Sequence, residues 1–138
     1  MRSYSYLMSD ADGGGGHYVE LQESKLFYLI RLLLEHVDVD ETWYLKQNSD
    51  VADAVKSGAL KSAKHHYIVA GYFENRLPRP VEVDEAWYLA EYPDVAAAIK
   101  SGAARSARDH FMGPGFLEGR LPRKDWSLLG EKKLEMAG

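Results

Sequence analysis

The chain has 138 residues, 46% of them hydrophobic and 28% charged, with no cysteine and a formal net charge of −4. That length makes one compact domain the default, and the lack of cysteine rules out disulfides and thiolate metal sites, which fits a reducing, cytoplasmic setting. No segment is strongly basic, so no nucleic-acid partner is expected; no membrane span is expected either, because Leu26 to Leu34 is the greasiest run and falls well short of the roughly 20 apolar residues needed.

Residues 1–20 contain two β-leaning stretches, Tyr4 to Met8 and His17 to Leu21, joined by a connection that ends in four glycines. They form either a short loose β-hairpin or a flexible leader, since a glycine run gains little by ordering. The opening residues lack the apolar core of a signal peptide. Residues 21–36 predict an apolar helix: they are leucine-rich, without period-2 alternation, glycine or proline. Such a helix is greasy on most sides and must be covered on most sides. Either the rest of the chain wraps it, or it meets a second copy through Leu26, Tyr28, Leu29, Leu32 and Leu33.

Residues 37–80 and 81–124 overlay without a gap, with 24 of 44 positions identical. A self-match at this period marks a supersecondary unit used in tandem. Each copy predicts three short helices. Asp40 and Asp84 suit N-caps, followed by Trp43-Tyr44 and Trp87-Tyr88 as core side chains. A second helix starts near Asp50 and Asp94, with Pro93 suited to the first helical position, and stops at Gly58 and Gly102. The third opens at Ser62 and Ser106, where Ser106 and Asp109 approximate a capping box. On its inner face lie Ala63, His66, Tyr67 and Ala70, matched by Ala107, His110, Phe111 and Pro114. Asn75 overlays Gly119, and the property these residue types share is tolerance of positive φ; a left-handed turn is predicted at both. Pro114 is expected to shorten the last turn of its helix. Residues 125–138 predict a cap carried by Trp126 and Leu128-Leu129, with a frayed end.

The paired histidines suit hydrogen-bonded core positions better than ligands or bases. No His-x₃-His pair exists to start a zinc site. Arg76 and Arg120 each follow a glutamate and suit loop-fixing ion pairs more than a catalytic clamp. No phosphate loop or nucleophile elbow is present, so no catalytic residue, metal or cofactor is expected. Lys61 and Lys64 overlay Arg105 and Arg108, while each copy opens acidic. Those charges suit a solvated face, an acidic-to-basic contact between units or subunits, or a row of sites for an acidic glycan or other anion.

The run Trp87-Tyr88-Leu89, Tyr92-Pro93-Asp94-Val95, His110-Phe111 and Glu118-Gly119-Arg120 resembles a bacterial repeat found beside glycosyltransferase domains and in exopolysaccharide-related or surface proteins. The first copy departs from that pattern at Ser49 and Asn75. The resemblance implies an accessory helical module in a glycan-related setting, with Trp43, Asp50, His66, Arg76, Trp87, Asp94, His110 and Arg120 as its structural motif. The expected architecture is mainly α: an N-terminal segment, an apolar helix and two tandem 44-residue three-helix repeats. The expected function is interaction or scaffolding with a protein partner or in a homo-oligomer such as a dimer, and the alternative is binding of an acidic glycan or anion.

Overall fold

The computed structural model describes residues 1–9 and 18–130, and among these it is helical with no strand. The chain divides into two units, Leu7–Pro80 and Met1–Tyr6 with Val81–Gly138.

Helix α1, Tyr4–Leu7, is a single turn where a hairpin arm was one expectation. Ser3 explains the difference: its Oγ accepts the Tyr6 amide at 3.2 Å, closing a helical turn against local β-propensity. The segment is also held within its own unit. The Leu128 amide donates to the Met1 carbonyl at 3.3 Å, and Arg2 donates to the Gly119 carbonyl. Residues 1–6 are therefore docked in their unit and are not a free leader. Tyr18 to Leu21 forms no strand, and residues 10–17 of the expected hairpin lie outside the described residues.

In the unit Leu7–Pro80, α2 spans Glu23–Leu34. Its inner stripe is Phe27, Ile30 and Leu34, at i, i+3 and i+7, and Ile30 and Leu34 are buried. The Phe27 ring meets Phe73 edge-on at 4.9 Å, and the Arg31 guanidinium lies over the same ring while donating to the Val69 carbonyl at 3.3 Å. On the opposite side Tyr28, Leu29, Leu32 and Leu33 are exposed.

Three further helices follow in this unit: α3 (Glu41–Gln47), α4 (Ser49–Lys56) and α5 (Ala63–His66). The Asp40 carboxylate caps α3 by accepting the Trp43 amide at 3.0 Å, and Ser62 caps α5 by accepting the His65 amide at 3.0 Å. Helix α5 runs directly into a π-helical turn, Tyr67–Gly71, closed by the Tyr72 amide on the Tyr67 carbonyl at 2.9 Å. The extra residue in that turn moves the inward face on by one position. Gly71 and Tyr72 are buried there, and Ala70, expected to face inward, is only half-buried.

The other unit contains α6 (Glu85–Glu91), α7 (Pro93–Ser101) and α8 (Ala107–His110), the last running into a π-helical turn, Phe111–Gly115. Asp84 and Ser106 cap α6 and α8 as Asp40 and Ser62 cap α3 and α5. Pro93 occupies the first turn of α7, and Gly102 ends that helix with φ at 83°. The helix is interrupted just before Pro114: Gly113, at φ −97° and ψ −107°, is non-helical and forms a kink inside the π turn, which again buries a glycine, Gly115. Pro114 itself is exposed, where an inward position was expected. Asn75 and Gly119 both take the predicted left-handed conformation, at φ 59° and 74°. Trp126 packs edge-on against Phe111 at 5.9 Å, and Leu128 is buried beside it in sequence; the end expected to fray lies outside the described residues.

Tyr67 is fully buried, and its hydroxyl has no hydrogen-bond partner among the described residues. Phe111 occupies the overlaid position in the other unit. Tyr67→Phe removes an unpaired buried hydroxyl and is expected to stabilise the chain by about 1 kcal/mol in denaturant unfolding; a loss of stability would show that the oxygen has a partner.

Candidate functional site

Two side-chain constellations frame each unit, and they use the residues singled out from the sequence. In the first, Tyr44 on α3 reaches His66 at the end of α5, with its hydroxyl 3.0 Å from Nδ1. The hydroxyl lies over Gly71, where even a Cβ would collide with it. Tyr88 and His110 form the matching bond at 2.9 Å over Gly115. Burial pushes both phenols up to about 12, so they stay protonated at neutral pH. Burial, with the Arg76 guanidinium as the next cause, also pulls the His66 imidazole below its ordinary value. His66 is 8% exposed, so it sits as a neutral core residue with no open face for a substrate.

The second constellation is a guanidinium fork. Arg76 donates from Nη1 and Nη2 to the two oxygens of Asp50 at 3.0 and 2.8 Å, and from Nε to Glu74 at 2.6 Å. Its backbone amide donates to the Gly71 carbonyl at 2.9 Å, so one residue ties the left-handed loop to both the π turn and the start of α4. Arg120 does the same with Asp94 at 2.8 and 2.6 Å, with Glu118 at 2.6 Å and with the Gly115 carbonyl at 2.9 Å. The residue preceding the second helix of each unit differs. Asn48 accepts from Arg76 Nη1 at 2.8 Å and donates to the Tyr44 carbonyl at 2.8 Å. Tyr92 instead offers its ring to Arg120 at 4.9 Å and its hydroxyl to the Leu121 amide at 2.8 Å. The overlay passed over this pair because asparagine and tyrosine share no obvious property; each satisfies the arginine and the backbone in its own way.

Trp43 and Trp87 are half-buried, whereas Tyr44 and Tyr88 are fully buried. Lys61, Arg105 and Arg108 are exposed and Lys64 is half-buried; none of the four makes a side-chain ion pair among the described residues. On α2 the five residues proposed for self-association divide. Leu26 is half-buried, and Tyr28, Leu29, Leu32 and Leu33 are 61%, 51%, 42% and 48% exposed. Those four recur at i, i+1, i+4 and i+5 and form one apolar stripe opposite the anchored one.

A surface hollow of about 210 Å³ beside His110, lined by Ala103, Ala104, Arg105, Asp109 and Pro114 as well, was not anticipated from residue order. The signal available was the overlay of Leu60 on Ala104. The expected capping box at Ser106 forms only in half: Ser106 Oγ accepts the Asp109 amide at 3.0 Å, and the shorter Asp side chain returns no bond. Among the described residues no group of three His, Asp or Glu side chains is placed to hold a metal ion, and no helix is long and apolar enough to cross a membrane. No protein-family model, curated protein or solved structure matches the chain.

The arginine partner holds Asp50 and Asp94 at about 2, against an ordinary 3.8. A carboxyl depressed in the folded state contributes stability that is present above 3.8 and is lost as pH falls through about 2. Thermal midpoints are therefore expected to fall between those pH values, and Asp50→Asn with Asp94→Asn is expected to flatten that part of the profile. Gly71→Ala drives a methyl into the Tyr44 hydroxyl and is expected to cost about 1–3 kcal/mol in chemical unfolding; a neutral result would mean that the phenol moves aside freely.

Proposed function

We propose that this chain is a non-enzymatic interaction module, built from two copies of one helical brick, that associates with a second copy through the outer stripe of α2. The carrying observation is the exposure of Tyr28, Leu29, Leu32 and Leu33 on a helix whose other stripe is anchored. A Leu left half exposed still gains roughly 1 kcal/mol when covered, and four neighbouring apolar side chains offer several. The matched Tyr–His and Arg–Asp bonds support the two-copy construction, and they assign those polar groups to holding the brick together. The likeness of Tyr92 to Val95 and Glu118 to Arg120 to the bacterial repeat supports a setting beside glycan or cell-surface machinery.

Sedimentation across a range of concentrations tests this reading. The wild-type chain is expected to form dimers, and Leu32→Asp with Leu33→Asp is expected to be monomeric with its thermal midpoint little changed, since exposed positions tolerate substitution within about 0.5 kcal/mol. A wild-type monomer at every concentration, with no co-purifying protein, would overturn the reading.

A second reading is favoured by the four cations without ion pairs, Lys61, Lys64, Arg105 and Arg108. It makes the module a binder of acidic glycans or other anions. Calorimetry against acidic oligosaccharides is then expected to show binding that weakens steeply with salt; silence at low salt would remove it.

A further inference from the structure

The hollow beside His110 lies within one unit, and the overlaid positions of the other unit carry different side chains. The Ala104 amide donates to the Ala98 carbonyl at 3.1 Å, as the Leu60 amide donates to the Ala54 carbonyl at 3.1 Å. The backbone is thus placed alike, but Ala104 offers a methyl where Leu60 offers an isobutyl group. The imidazoles also differ: His66 is buried, while His110 is partly exposed and lines the hollow.

The walls carry opposite charges. Neither the Arg105 guanidinium nor the Asp109 carboxylate has a partner among the described residues. They do not pair with each other across four positions because Ser106, at φ −157°, is extended and sets Arg105 off the helix that carries Asp109. Between them stands His110. Its Nδ1 is taken up by the Tyr88 hydroxyl at 2.9 Å, which leaves Nε2 as the ring nitrogen without a hydrogen-bond partner among the described residues. Ala103, Ala104 and Pro114 supply apolar surface.

A simple anion meets Asp109 in this hollow, and a simple cation meets Arg105. A drug-sized solute needs about 300 Å³ or more, above the 210 Å³ present. We propose that the hollow binds a small zwitterion, a free α-amino acid with a short side chain. Its carboxylate meets Arg105 and His110 Nε2, its ammonium meets Asp109, and its side chain rests on Ala104 and Pro114. The first unit has no equivalent site, since Lys61, His65 and Leu60 stand where Arg105, Asp109 and Ala104 stand.

The test is a titration of the full chain with L-alanine, followed by calorimetry and by the His110 imidazole NMR signals. Propionate, ethylamine, glucuronate and inorganic phosphate serve as comparison probes. Alanine is expected to bind and to shift His110, while propionate and ethylamine bind at least tenfold more weakly, as do Arg105→Gln and Asp109→Asn toward alanine, since each lacks one charge-assisted contact, a loss of about tenfold or more. Ala104→Leu is expected to abolish the response with circular dichroism unchanged, because Leu60 is accommodated at the overlaid position. Sedimentation of that variant is expected to match wild type, which keeps this site separate from the α2 contact. No His110 shift with alanine overturns the proposal. So does propionate, glucuronate or phosphate binding as tightly as alanine and more tightly in Asp109→Asn, which would make the hollow an anion site.

Discussion

A phenol laid across a glycine to reach an imidazole governs the geometry of both units. Tyr44 and Tyr88 project from the first helix of their units, and the third helix can approach only where it has no side chain, at Gly71 and Gly115. An uninterrupted α-helix would bring residue 70 or 114 to that point. The π turn inserts one extra residue and brings the glycine there instead. The same adjustment turns Tyr72 and Phe116 inward, where they extend the edge-on aromatic contacts with Tyr67 and Phe111. Placement of the histidine, the glycine and the aromatic core is therefore one event.

The arginine fork completes the frame from the opposite side. A left-handed residue, Asn75 or Gly119, reverses the chain so that the next residue aims its guanidinium back at the start of the second helix. A carboxylate at that position is also favoured by the helix's positive end. The forks lie near the surface, with the Asp side chains largely exposed, so their contribution is chiefly to direction and less to bulk stability. Glycine at position 119 has a second reason: the Tyr6 ring lies where its Cβ would be, a constraint Asn75 does not face.

Against this shared frame the differences between the units carry the functional proposals. In one unit α2 supplies an anchored helix with an uncovered apolar stripe. In the other, a hollow lined by Ala104 and Pro114 lies beside the His110 imidazole, which Tyr88 holds in place. Polar residues that look catalytic in isolation, such as His66 and Arg76, are occupied in fixing helices and loops. Arg105 and Asp109, whose side chains have no partner among the described residues, stand at the hollow.

Much of the frame was legible from residue order because caps and turns are local. Asp40, Asp84, Ser62 and Ser106 each accept the amide three residues ahead, and the pairing of asparagine with glycine in the overlay marks a positive φ, which Asn75 and Gly119 adopt. The N-terminal helix was missed because β-leaning tyrosines outweighed one capping serine; that local cap is joined by docking against residues distant in sequence. The π turns were missed for a related reason. Hydrophobic spacing alone does not distinguish an α register from one shifted by a single residue; the collision of a phenol with a Cβ does. Side-chain types and spacing determined the helices, their ends and the chemistry available within them. Which of those groups were consumed by packing, and which remained exposed on α2 or beside His110, was decided by volume and by contacts between residues far apart in the chain.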